Sequence, residues 1–208
     1  MRTRYTFYNF LVSLITSVIL PIVGMLKIRM FIDVYGQALN GLQLTIVNVI
    51  TFLNICEIAY SLAFRQLLFK PLANDDRASV LKIYYGARKI FKITGTLVIA
   101  LGIIVAFFFP LFSDSPLNYG ETVFMFIVFL LPYGLSYYLM GPNFVIIADQ
   151  KEYKINIWIQ TIAILRMVAM VVVIYLRMPY YVVFFIEGGQ VLLANVVAYK
   201  VALKQYPW

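Results

Sequence analysis

The sequence predicts an all-α polytopic membrane bundle of six transmembrane helices. Composition points there first: of 208 residues, 63% are hydrophobic and only 12% are charged, against about 25% charged in soluble domains. A soluble chain this apolar has too little polar surface to cover its core. The second observation is a series of six apolar stretches of the ~20 residues a helix needs to cross a bilayer. The third is the placement of the cations between those stretches.

The spans are read at 7–28, 41–69, 88–112, 120–147, 153–176 and 179–200. They are separated by VYGQALNG, KPLANDDRASVLKIYYGAR, SDSPLNYGE, ADQKEYK and RMP, in which turn formers and charges concentrate. The start, MRTRY before a long apolar run, lacks a cleavage pattern and reads as a span rather than a cleaved signal peptide. No linker or soluble domain interrupts the series, so 1–208 is read as one transmembrane domain.

With the N-terminus inside, twelve cations fall on the cytoplasmic side: Arg2, Arg4, Lys70, Arg77, Lys82, Arg88, Lys89, Lys92, Lys151, Lys154, Lys200 and Lys204. Three fall outside, Lys27, Arg29 and Arg177, and Arg65 and Arg166 stay within the membrane. This asymmetry predicts a multi-pass protein with both termini cytoplasmic. The net charge of +8 is thereby assigned to anionic membrane lipids as partners rather than to nucleic acid, since no polar fold carries the basic patches.

The sequence holds no histidine, so imidazole relays, triads and His-based metal sites are excluded. Its lone cysteine, Cys56, lies in an apolar stretch and reads as a small hydrophobe. No glycine-rich phosphate cradle appears. Neither an enzymatic reaction nor catalytic residues, a metal or a cofactor is expected.

Each span is then read for polar residues. In the first, Asn9, Ser13, Ser17 and Pro21 recur every four residues on one helical stripe, either as close packing or as the wall of a hydrated cavity. Within the second, Asn54, Glu57, Ser61 and Arg65 share a face. Glu57 and Arg65 stand about 12 Å apart along the axis and cannot pair directly. Arg65 either snorkels to the headgroups or faces a cavity, whereas Glu57 calls for a polar partner. The fourth span carries Pro132, Gly134, Gly141 and Pro142, which predict a bend. Tyr133, Tyr137 and Tyr138 lie deep in it, where packing or a sugar-accommodating cavity would employ them. Arg166 sits in the middle of the fifth span and Glu187 near the start of the sixth; their contact is left open by the sequence.

The segment EIAYSLAFRQLLFKPLANDD, followed by VLKIYYGARKIFKITG, resembles the bacterial polysaccharide biosynthesis flippases of the multidrug/oligosaccharidyl-lipid/polysaccharide exporter superfamily. Glu57, Arg65, Lys70, Pro71, Leu72, Ala73 and Asp76 carry it, with Arg88, Lys89 and Gly95 at the start of the third span. VYGQALNGLQ, ADQKEYKIN and KQYPW are similar to further stretches of the family in the same order. Two features depart from the pattern. Ala59 and Ser61 stand where glycines are usual, and family members have two six-helix lobes, of which this chain supplies one.

The resemblance implies alternating access by one lobe of a two-lobe fold in a bacterial cell (inner) membrane. The cargo would be an undecaprenyl-pyrophosphate-linked oligosaccharide, and a second six-helix lobe or a homodimer would complete the cavity. Under this reading Arg65, Arg166, Lys27 and Arg29 are the cavity cations that hold the anionic cargo. Glu57, Glu187, Asn54 and Ser61 are ion-coupling or structural polar groups. Two alternatives stand beside it: a cation-coupled drug or metabolite antiporter of the same superfamily, and a non-transporting membrane remnant or subunit.

Overall fold

The computed structural model describes residues 21–53 and 55–206, without the side chains of 55–59. These residues form helices and short turns, with no strand among them. In chain order the helices are α1 (21–35), α2 (Gln37–Leu53), α3 (Ile55–Ala73), α4 (Arg77–Phe112), α5 (Tyr119–Ser136), α6 (Gly141–Ala148), α7 (Tyr153–Tyr175) and α8 (Tyr180–Gln205). Four segments are long and apolar enough to cross a membrane: α4, Tyr119–Leu139, α7 and α8. They overlap the third to sixth predicted spans. The first predicted span lies largely outside the described residues, and the second falls on the shorter α2 and on α3.

α4 shows why an apolar helix suits lipid on one side and protein on the other. Gly95, Val98, Gly102, Ala106 and Phe109 are buried at helical spacing and face α5. Leu97, Leu101, Ile104, Phe108 and Leu111, at the same spacing, are each more than half exposed. A helix apolar on both faces belongs in a membrane or a large core. The helix also begins eleven residues before the predicted span. Asp76 caps it, accepting from the Ser79 amide at 3.1 Å, and hydrogen bonds from Ser79 hold the Asp76 carboxyl below the usual carboxylate range. Capping offers the first orphan amides a partner, so most of the expected polar separator is folded as helix.

The fourth predicted span is interrupted. α5 ends at Ser136, a 3-10 turn covers Tyr137–Leu139, and α6 restarts at Gly141 with Pro142 in its first turn. Pro142 lacks the amide that would continue the ladder and suits a helix start. Pro132, by contrast, stays inside α5. Tyr137 is buried in the core and Tyr138 shares a 2.7 Å hydrogen bond with Thr96 of α4, so both serve packing.

At one end of the bundle Gly36, with φ of +90°, turns α1 into α2, a backbone conformation that favours glycine. Tyr35 there donates to the Met178 carbonyl in the α7–α8 turn. At the opposite end Asp75, Asp149, Lys151 and Tyr206 gather around one cleft. The two sets of connections assigned by charge to opposite membrane faces thus lie at opposite ends. Tyr206 donates to Asp149, which also pairs with Lys151 at 2.5 Å. Burial, and after it the Asp149 carboxylate, pushes the Tyr206 hydroxyl pKa up.

The core between α5 and its neighbours depends on close backbone approach. A Cβ on Gly188 of α8 would stand 2.9 Å from the Val128 carbonyl oxygen of α5. Because that neighbour is backbone, it yields only if the helices separate. Gly188→Ala is therefore expected to cost about 1–3 kcal/mol, measured as a lowered midpoint of unfolding in detergent, whereas Gly189→Ala, which meets no atom within 4 Å, changes it little.

Candidate functional site

Four helices bring polar side chains together at one depth. Lys27 lies about 12 Å along α1 from its Tyr35 end, and Gln43 about 9 Å along α2 from its start. Arg166 lies about 14 Å along α7 from its end, and Glu187 about 10 Å along α8 from its start, at 1.5 Å per residue. All four distances are measured from the end where Gly36 and the α7–α8 turn lie. The cluster thus sits inside the bundle, well below the helix ends.

Glu187 is its centre. Lys27 Nζ donates to Glu187 Oε2 at 3.1 Å and Arg166 Nη1 to Oε1 at 3.4 Å. Gln43 Nε2 donates to the same Oε2. The charged side chains are 11%, 20% and 22% exposed for Lys27, Glu187 and Arg166. Tyr133 of α5 lies within electrostatic range of both Arg166 and Glu187. Lys27 also stands 5.9 Å over the Phe31 ring, which adds a cation–π contact.

Among the described residues, two formal cations against one carboxylate leave one excess positive charge. Burying charge in a low-dielectric interior is costly unless every group is paired, and this set is incompletely satisfied. Arg166 Nε and Gln43 Oε1 are buried with no hydrogen-bond partner among the described residues. An additional anion, or a group that both accepts and donates, would complete them.

The cluster has a way out. A groove of about 420 Å³ runs between α7 and α8, lined by Arg166 and Gln190 with Leu165, Phe185, Gly189 and Leu193 among apolar walls. Leu165, Phe185 and Leu193 are more than half exposed on the outer surface. Arg166 therefore touches the ion cluster on one side and an apolar-walled, outward-opening groove on the other.

The sequence-predicted residues divide. Lys27, Arg166 and Glu187 meet in the cluster; Lys27, assigned by charge to the outer side, is buried there. Arg29 is exposed and makes no part of it. Arg65 lies on α3, half-buried, with its Nε unpartnered among the described residues. Its neighbour Phe64 packs against Phe91 of α4, away from Glu187. Ser61 is half-buried on the same helix. Asn54, the Glu57 side chain, and Asn9, Ser13 and Ser17 fall outside the described residues. Gln43 and Gln190 were not anticipated. For Gln43 a signal existed: it interrupts the buried stripe Leu39, Leu42, Ile46, Ile50 of α2, where a polar residue calls for a partner.

No protein-family model matches the chain, and comparison with curated proteins and with solved structures finds no match. Fold and site together describe a helical chain with four potential membrane spans and an unbalanced buried ion cluster.

Proposed function

We propose that the chain is a six-span lobe of a bacterial inner-membrane flippase that exports an undecaprenyl-pyrophosphate-linked oligosaccharide, with both termini cytoplasmic. A second six-helix lobe, or a second copy of this chain, would complete the cavity. The observation that carries the reading is the excess positive charge at Lys27, Gln43, Arg166 and Glu187, open to the apolar surface through the α7–α8 groove. An anion attached to a long apolar chain has the chemistry to use both parts: its phosphates meet Arg166 while its hydrocarbon remains against apolar walls. Arginine suits this role because its planar fork donates two parallel hydrogen bonds to phosphate. The residues quoted for the sequence resemblance support the cargo class, and Arg65 remains a second cavity cation under this reading.

A cation-coupled antiporter would use carboxylates to hold its ion. Glu187 is already faced by two cations, which disfavours it as such a site. The deciding experiment is export of surface polysaccharide by cells that depend on this protein, assembled with any second lobe. Arg166→Glu is expected to reduce export at least about tenfold at unchanged protein level, and Arg65→Glu to reduce it as well. Normal export by both variants at normal expression would remove the proposal's anion site.

A further inference from the structure

We propose a second site, independent of the flippase reading: the pocket around Arg88, between α4, α6 and α8, binds a phosphate-bearing anion at the membrane–water boundary. The pocket has a volume of about 200 Å³ and is lined by Tyr84, Tyr85, Arg88, Pro142, Tyr199 and Leu203, among others. It lies at the end opposite the Glu187 cluster, beside the cleft of Asp75, Asp149 and Lys151.

Arg88 is a half-buried cation beside Tyr84 with no carboxylate paired to it among the described residues. Its Nε is buried without a hydrogen bond, and no ion pair includes it among the described residues. A buried guanidinium nitrogen is expected to be hydrogen-bonded. Of the two carboxylates in the adjoining cleft, Asp149 is occupied by Lys151 and Tyr206, and neither it nor Asp75 forms an ion pair with Arg88. The hydroxyls of Tyr84, Tyr85 and Tyr199 are donors that make no hydrogen bond among the described residues, so an anion in this pocket would meet several donors at once.

Depth selects the ligand class. From Arg88 to Phe112 α4 runs about 36 Å, against a hydrocarbon core of about 30 Å. Arg88 therefore sits at headgroup level, where tyrosines also concentrate. Gly141 of α6 keeps the space: a Cβ there would stand 3.2 Å from the Tyr84 ring and 3.8 Å from Arg88 Cβ. Phosphate at this level comes either from an anionic phospholipid headgroup or from free phosphate reaching in from the aqueous cleft.

The test is lipid retention by the full chain, delipidated in detergent and offered phosphatidylglycerol or phosphatidylcholine of the same acyl chains, read by native mass spectrometry. In parallel, inorganic phosphate is titrated in a thermal-unfolding assay. Arg88→Ala is expected to weaken phosphatidylglycerol retention about tenfold and leave phosphatidylcholine unchanged. Lys89→Ala removes the same charge from the exposed neighbouring position and should change retention by less than about threefold. Leu203→Trp, which fills the pocket and keeps Arg88, should weaken it as Arg88→Ala does; circular dichroism checks that each variant remains helical. Arg88-dependent retention of phosphatidylglycerol alone assigns the site to a headgroup. An Arg88-dependent rise in thermal stability with inorganic phosphate assigns it to the soluble ion. Equal effects of Arg88→Ala and Lys89→Ala, or no effect of Arg88→Ala in either assay, overturn the proposal.

Discussion

Glu187→Gln should destabilise the bundle by about 3–5 kcal/mol, the range for removing one partner of a buried ion pair. The glutamine keeps the shape and one acceptor oxygen but leaves Lys27 and Arg166 facing each other with no carboxylate between them. Two buried like charges repel, and neither has a second carboxylate among the described residues. Reversible unfolding in mixed micelles measures the effect. A loss below about 1 kcal/mol would mean that the three side chains are solvated like an exposed pair. Lys27→Met combined with Glu187→Gln should recover part of the loss, because the double variant carries one buried cation instead of two.

Arg166→Met should behave in the opposite way. It removes the excess charge and leaves Lys27 and Gln43 both donating to Glu187, a neutral set. Its stability cost is expected to stay under about 1.5 kcal/mol, since replacing a buried ion by an apolar side chain of similar length is often close to neutral. The α7–α8 groove loses its only cation among its lining residues. On the proposed function, export then falls at least about tenfold although the protein folds and accumulates. The contrast is the informative result: Glu187 holds the cluster together, while Arg166 supplies what a cargo would use. If Arg166→Met proved as destabilising as Glu187→Gln and exported normally at the level that survives, Arg166 would be structural.

The two variants show why charge in a sequence is easier to locate than to interpret. Arg166 and Glu187 were legible as anomalies because each interrupts an apolar run, and their cost in a membrane demanded a reason. Their contact was not legible. It depends on the rotation of α7 against α8, on the Gly188 approach to the Val128 carbonyl, and on the depth of α1. Lys27 reads in sequence as an outer-side cation at the very end of the first span, yet α1 extends to residue 35 and draws it inside.

Helix boundaries divided along the same line. The turns at 113–118, 149–152 and 176–179 were readable because proline, glycine and charges cluster there. The stretch from Arg77 to Ala87 was not, because a cap at Asp76 and a covered face with Val80 and Ala87 make a polar-looking segment helical. Likewise Gly141 and Pro142 announced a break but not a 3-10 turn at Tyr137–Leu139, which follows from burying Tyr137 against α4.

Sequence alone was enough for an all-helical chain suited to a bilayer, since hydrophobic content and span length act locally along the chain and need no partner. It also sufficed to divide the connections between two ends, because the placement of lysine and arginine is a property of order. Folding was needed for everything that rests on juxtaposition: that Lys27, Gln43, Arg166 and Glu187, spread over 160 positions of chain, meet at one depth, and that Arg88 Nε is left without a hydrogen bond beside three tyrosines. Ion pairing falls off over a few ångströms in space, and spacing along a sequence does not encode which helix faces which.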